Sequence, residues 1–339
     1  MANANANHSL GQKAKAYVLE CNNRIKKTLN LSDDVDIIHT SSATESNNMA
    51  IKGIIESYNA FGKKILVSQL EHNSINGCLS IYKETGYEID FIKTETNGKV
   101  SLDDLENKLD DNVILVIITL LDGELGTLQD YESISALVSK FKNAHLLTDA
   151  TQAIAKYSID FNKIEMVSFS PHKSGGLTGT GVLLKKKSTI LTPLINGGES
   201  LSIYRSGSIP VGLISQTTKA IELSVANRDE DVICLKELSN YLILKLKSIP
   251  KIVINSFENL FIFNIGVNGI KSSNVVEYLS SKNIYVSQKS ACSIKNTPSK
   301  IIMSVYNDKK RALESFRVSI SELTTKDEIK ILIRALEEL

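Results

Sequence analysis

The chain has no tryptophan, and only five prolines and four cysteines among its 339 residues. Cys21, Cys78, Cys234 and Cys292 lie far apart without a C-x-x-C pair, which argues against a dense disulfide framework and a cysteine-rich zinc site. Reduced thiols are expected, with Cys21, Cys78 and Cys234 buried in helix-like stretches as small hydrophobes. An excess of either charge is also lacking: 39 basic and 38 acidic residues give a formal net charge of +1. No long-range field therefore directs the chain to nucleic acid or to an anionic membrane. The run Lys185-Lys186-Lys187 reads as a solvated turn. Long hydrophobic runs are absent too, since Val113–Leu121 and Ile262–Ile265 fall far short of the roughly 20 residues that span a bilayer. The Asn/Ala-rich start lacks the basic region and apolar core of a signal peptide. A cytoplasmic protein is expected, with residues 1–8 a poorly ordered or loosely docked lead-in.

What is present is an ordinary globular composition, 42% hydrophobic and 23% charged. The length exceeds the ~250–300 residues that one core serves, so two domains are expected, 1–222 and 223–339. Apolar runs bounded by turn residues mark strand candidates at Asp36–His39, Lys64–Ser68, Tyr87–Ile92, Val113–Thr119, His145–Thr148, Met166–Phe169 and Gly181–Lys185. Segments of 3.6-residue period lie between several of them, at Thr44–Phe61, Ser74–Thr85, Ser101–Leu109 and Tyr131–Phe141. That alternation predicts an α/β domain with a mostly parallel seven-stranded sheet. Near Gln216 the pattern changes to a long helix, Gln216–Ser248, then strands at Ile252–Asn255 and Leu260–Ile265, a helix Ser272–Lys282, and strand pieces at Ile284–Ser287 and Ser315–Ile320. This predicts a smaller α+β domain, closed by a helix over Thr325–Leu339.

Several segments could carry chemistry. Lys173 follows a strand candidate and precedes a glycine-rich turn. It reads either as an exposed loop lysine or as a cleft amine whose pKa, lowered at a strand end, lets it attack an aldehyde. Asp149 ends another strand candidate and fits a plain strand-end cap or the carboxylate partner of a pyridine nitrogen. The stretch His39–Asn48 reads as a capping box, as a phosphate cradle at a helix N-terminus, or as both. His72 is either a structural loop histidine or a ring that stacks on a planar cofactor. Cys292 lies in the polar stretch Val286–Lys300, a candidate mobile loop, where Lys289 or Lys295 would favour its thiolate.

Taken in order, Thr40–Asn48, Glu71-His72, Glu124-Leu-Gly126, Asp149-Ala-Thr-Gln152, Ser168–Lys173, Arg205–Ser208, Ser290-Ala-Cys292 and Phe316–Ser319 resemble the motifs of the group I cysteine desulfurases. These are class V aminotransferases of the fold-type I pyridoxal phosphate superfamily, and the resemblance covers nearly the whole chain. It implies that Lys173 holds pyridoxal 5'-phosphate as a Schiff base, that Asp149 pairs with the pyridinium nitrogen, that Gln152 bonds the phenolic oxygen, and that His72 stacks over the ring. Ala43, Thr44, Ser170 and His172 would hold the phosphate. Ser208 would reach the phosphate of the other subunit, which implies a homodimer. Arg317 would bind the substrate carboxylate. Cys292 would take the sulfur of L-cysteine as a persulfide, release L-alanine and serve a sulfur acceptor, an iron–sulfur scaffold or a tRNA-thiolation enzyme.

Two departures accompany the resemblance. Asp122-Gly123 stands where the family has an Asn-Asn pair, so altered substrate affinity or reaction specificity is expected. The family's longer N-terminal segment is missing, and a partner chain or a rearranged N-terminus would have to complete that wall of the cleft. A desulfurase-like scaffold with little unaided activity, or a pyridoxal phosphate lyase for a related amino acid such as selenocysteine, is the alternative.

Overall fold

The computed structural model describes residues 2–198, 200–257, 259–289 and 297–339. Its first part runs α1 (Ser9–Thr28), β1 (Val35–Thr40), α2 (Ala43–Tyr58), β2 (Lys64–Ser68), α3 (Asn73–Glu84), β3 (Glu88–Ile92), α4 (Leu102–Lys108), β4 (Val113–Ile117), α5 (Tyr131–Val138), β5 (His145–Asp149), β6 (Met166–Phe169) and β7 (Gly181–Lys186). The seven strands form one sheet in the order β1-β7-β6-β5-β4-β2-β3. β2, β4, β5 and β6 are buried at every position, as strands covered by helices on both faces must be. Alternate residues serve opposite cores: Leu66, Val116 and Leu146 point to one, Ile65, Ile117 and Leu147 to the other. Each such side chain contributes roughly 1.5–3 kcal/mol on burial.

Strand direction decides where a site can form. β2 runs parallel to β3 and β4, β4 to β5, and β5 to β6, whereas β7 is antiparallel to both β6 and β1. Six strands therefore point the same way, and the loops leaving their C-terminal ends gather on one edge. Helix entries are fixed locally. At α2 the Ser42 hydroxyl accepts from Glu45 N at 3.2 Å while the Glu45 carboxylate accepts from Ser41 N at 2.8 Å, a reciprocal cap that satisfies otherwise unpaired donors.

The second part contains α6 (Val211–Lys247), β8 (Ile252–Ile254), β9 (Ile262–Val267), α7 (Ser272–Ser281), α8 (Lys300–Tyr306), α9 (Lys309–Glu314), β10 (Ser315–Ser319) and α10 (Lys326–Glu337). The last three strands make an antiparallel sheet in the order β10-β9-β8. Leu235, Leu242, Phe263, Phe316 and Leu332 share its core. α6 belongs to both parts, because Ile221 lies in the first core and Leu235 in the second.

Of the two readings of the N-terminal lead-in, docking holds: Ala4 is buried with Val18, Cys21, Val211 and Ile214. Three expectations need correction. Lys185 is not in a solvated turn but is the buried inner residue of β7. Its ammonium donates to the carbonyls of Lys186 and Thr189 and pairs with Asp36 at 3.3 Å. Cys234 is exposed, unlike the buried Cys21 and Cys78, since the buried stripe Leu235, Leu238, Leu242, Leu246 turns its position outward. The strand expected at Ile284–Ser287 reduces to a single bridge, Ser287 with Arg317.

Candidate active site

β5 pairs with β6 so that Asp149 lies opposite Ser168. The chain leaving β6 thus enters its next turn beside the Asp149 carboxylate. That turn is a short 3-10 helix, Pro171–Ser174, ended by Gly175 at φ 74°, a left-handed conformation that side-chain-bearing residues rarely adopt. It carries Lys173 to the wall of a cleft of about 140 Å³ shared with Gln152, Lys156, Phe261, Arg317 and Ser319. Burial, and secondarily the Arg317 cation, hold the Lys173 ammonium below its ordinary range, which enlarges the neutral amine fraction a nucleophile needs.

Asp149 is buried, and each of its oxygens has a donor. Oδ1 accepts from Thr151 N at 2.9 Å, and Oδ2 from the Asn47 amide at 2.9 Å. The Asn47 amide also donates to Ser74 Oγ at 3.0 Å, and its carbonyl oxygen accepts from the Ser168 hydroxyl. His72 caps α3 through Nδ1, which accepts from Ser74 N at 3.1 Å and lies 3.0 Å from Ser74 Oγ. With Nδ1 accepting, the ring N–H of the neutral imidazole sits at Nε2. One polar chain therefore connects His72, Ser74, Asn47 and Asp149.

Arg317 comes from the other sheet. It lies on β10, where its backbone exchanges two hydrogen bonds with Ser287, and its Nη1 donates to the Gly123 carbonyl oxygen at 2.6 Å. Its Nε is buried without a hydrogen-bond partner among the described residues, as is Thr151 Oγ1. Gly123 starts a loop organised by Asp122, whose fully buried carboxylate accepts from Glu124 N at 2.8 Å and Leu125 N at 3.0 Å.

The other expected residues are more dispersed. Ala43 and Thr44 open α2, half-buried and exposed respectively. Ser208 is exposed, in the segment that Arg205 ties to the first turn of α2 through a 2.9 Å ion pair with Glu45. Gly181 is the glycine that a close approach requires, since a Cβ there would lie 2.2 Å from the Ser42 carbonyl carbon. The Ser170 hydroxyl donates to the Thr180 carbonyl oxygen at 2.6 Å. His172 is exposed, and partial burial and Lys173 lower its pKa. Cys292 and Lys295 lie outside the described residues. Their flanks are placed: Ser287 pairs with Arg317, and the Lys289 ammonium donates to the carbonyl and hydroxyl oxygens of Thr297 at 2.6 and 2.7 Å. The described residues on either side of 290–296 are thus joined through Lys289 and Thr297, with Lys289 two positions after Ser287, which bridges to Arg317.

The donor set fits pyridoxal phosphate. A strand-end amine, a buried carboxylate held by a neutral amide and a buried guanidinium nitrogen without a hydrogen-bond partner among the described residues are what an aldehyde, a pyridine nitrogen and a substrate carboxylate require. Asn47 and Lys156 received no role from sequence. A readable signal existed for Asn47, a polar residue inside the inward stripe Ser46–Ile51 of α2. Lys156 gave none.

The chain matches the Aminotransferase class-V family over residues 1–332. It is 33% identical over 343 residues to the cysteine desulfurase IscS of Buchnera aphidicola subsp. Baizongia pistaciae, covering 99% of this chain and 84% of that protein. A solved NifS-like protein superposes with a TM-score of 0.91 at 25% identity, covering 99% of this chain and 91% of its own. A second NifS-like protein, from Rickettsia africae, gives 0.88 at 27% identity with the same coverage. With its cleft set between two such sheets and these relatives along almost its entire length, the chain belongs to the aminotransferase class-V family, among the pyridoxal-phosphate-dependent cysteine desulfurases.

Proposed function

We propose that this chain converts L-cysteine to L-alanine, retains the sulfur as a persulfide on Cys292, and hands it to an acceptor protein such as an iron–sulfur scaffold or a tRNA-thiolation enzyme. The observation that carries this reading is the convergence of Lys173, Gln152 and Arg317, from two strand ends of one sheet and a strand of another, on a single cleft. When bound, pyridoxal phosphate supplies an electron sink for bond changes at the substrate α-carbon. Lys173 Nζ would hold the cofactor aldehyde and would move the proton at the substrate Cα. Asp149, fixed by Asn47 and Thr151 N, holds the proton on the ring nitrogen. Gln152 would bond the ring oxygen, and His72 would cover the ring.

Arg317 takes the substrate carboxylate with its remaining donors, its Nη1 being braced on Gly123. Ala43, Thr44, Ser170 and His172 form the phosphate end. Ser170 must turn from the Thr180 carbonyl to donate there. Ser208 of the partner subunit completes that end in a homodimer. The folding units are 1–222 and 223–339, dividing inside α6, and the protein works in the cytoplasm; among the described residues no helix is long and apolar enough to cross a membrane.

An absorbance spectrum of the purified protein tests the reading. A yellow band that disappears in Lys173→Ala is expected, and a colourless wild type would sink the proposal. Sulfide release from L-cysteine should fail in Cys292→Ser while the band persists. Undiminished release would remove Cys292 from the reaction.

A further inference from the structure

Lys156 shares the cleft with Lys173 and Arg317. Its ammonium has no ion pair or hydrogen bond among the described residues, and it lies over the Phe261 ring, 5.3 Å from the centroid. The turn that brings it there is tight: Ala153 N bonds the Ala150 carbonyl at 2.9 Å and Tyr157 N the Ala153 carbonyl at 3.2 Å. Ala155, directly before Lys156, is buried and has φ 61°. A residue with a Cβ is disfavoured in that conformation, and such outliers concentrate where a side chain must be aimed.

With Lys173 given to the cofactor, Lys156 and Arg317 remain as two cations around one small cleft and call for anions. Burial, then Lys173 and Arg317, push the Lys156 ammonium down to about 8, and Glu322 is the group that pulls it up. At neutral pH it is still mostly charged, in surroundings that do not balance it. An amino acid bringing only an α-carboxylate would satisfy Arg317 and leave Lys156 unpaired.

We infer that Lys156 is a specificity-determining residue that binds the negative charge of the substrate's side chain while Arg317 binds the α-carboxylate. The substrate class is then amino acids with an anionic group on the β-carbon, and L-cysteine is held as its thiolate. A thiol with an ordinary pKa near 8.5 ionises more readily beside a cation. The inference rests on the desulfurase reading and adds the means by which the cleft selects its substrate.

L-aspartate and L-asparagine differ in side-chain charge at nearly equal size, so calorimetric binding of the two to the holoenzyme isolates the effect. The wild type is expected to bind L-aspartate about tenfold more tightly, the scale of one partly screened ion pair. Lys156→Met should abolish that preference with L-asparagine affinity unchanged, Lys156→Arg should keep it, and the KM for L-cysteine should rise in Lys156→Met. Equal affinities in the wild type, or equal losses for both ligands in Lys156→Met, overturn the inference. The yellow band in the same samples separates the two readings. A preference missing with the band intact overturns Lys156 alone, and a wild type without the band overturns the cofactor reading together with it.

Discussion

Arg317 and Gly123, 194 positions apart, are joined by a 2.6 Å hydrogen bond from the guanidinium Nη1 to the glycine carbonyl oxygen. The contact ties β10 to the loop that leaves β4, and so closes one side of the cleft with a backbone acceptor. Glycine is not needed for it. A Cβ at 123 would meet Gln152 Nε2 at 3.6 Å and Arg317 Nη1 at 3.9 Å, ordinary van der Waals distances.

Gly123→Ala should therefore leave kcat/KM for L-cysteine within about threefold of wild type. Arg317→Ala should lower it by roughly 30- to 5,000-fold, since removing a buried charged donor costs about 2–5 kcal/mol. Steady-state kinetics on both variants checks the pair, and a large loss in Gly123→Ala would show that the glycine itself is required.

Asn47→Leu should strip the donor from Asp149 Oδ2 and from Ser74 Oγ, and the acceptor from Ser168. Leaving a buried carboxylate oxygen unpaired costs about 1–3 kcal/mol. A urea midpoint lowered by that amount is expected, together with a displaced pH titration of the cofactor band. An unchanged titration would mean that Asn47 supports the fold without positioning Asp149.

Glu71 gives a pH dependence. Its carboxyl is pushed up to about 8 by burial, against hydrogen bonds from the Ser68 hydroxyl and Thr119 N, with Asp149 and Asp122 adding to the rise. The folded state holds that proton more tightly than the unfolded chain does, so the stabilisation is present below pH ~4.5 and fades as pH climbs through about 8. Relative to wild type, Glu71→Gln should gain on the order of 3–4 kcal/mol across that window, read as urea midpoints at pH 5 and pH 8. Parallel curves for the two proteins would refute it.

Gly181→Ala would press a methyl against the Ser42 carbonyl carbon at 2.2 Å. Backbone must move on one side or the other. A loss of more than about 2 kcal/mol is expected, with weakened cofactor retention because Ser42 caps the helix that opens with Ala43 and Thr44.

The seven strands of the main sheet were legible because each is a short apolar run, and parallel pairing follows from helices between them. Lys173, Gln152 and Arg317 were singled out through motif order, and all three line one cleft; Asp149 lies beside it, opposite Ser168 on the neighbouring strand. Lys185 was not, because its pairing with Asp36 and with the carbonyls of Lys186 and Thr189 exists only once β7 lies against β1. Asn47 stood in a quoted motif, yet its partners Ser74, Asp149 and Ser168 are 27, 102 and 121 positions away. Lys156 needed the turn geometry at Ala155, which nothing in local sequence announces.

α6 runs for 37 residues, a rod of about 55 Å at 1.5 Å per residue. It is anchored at one end in the core of the first sheet and at the other in that of the second. The two halves of the cleft are thus mounted on a single elastic shaft. Ile221 and Leu235 are fourteen positions apart on it, so the spacing between the two cores along that rod is fixed by about four turns of unbroken helix.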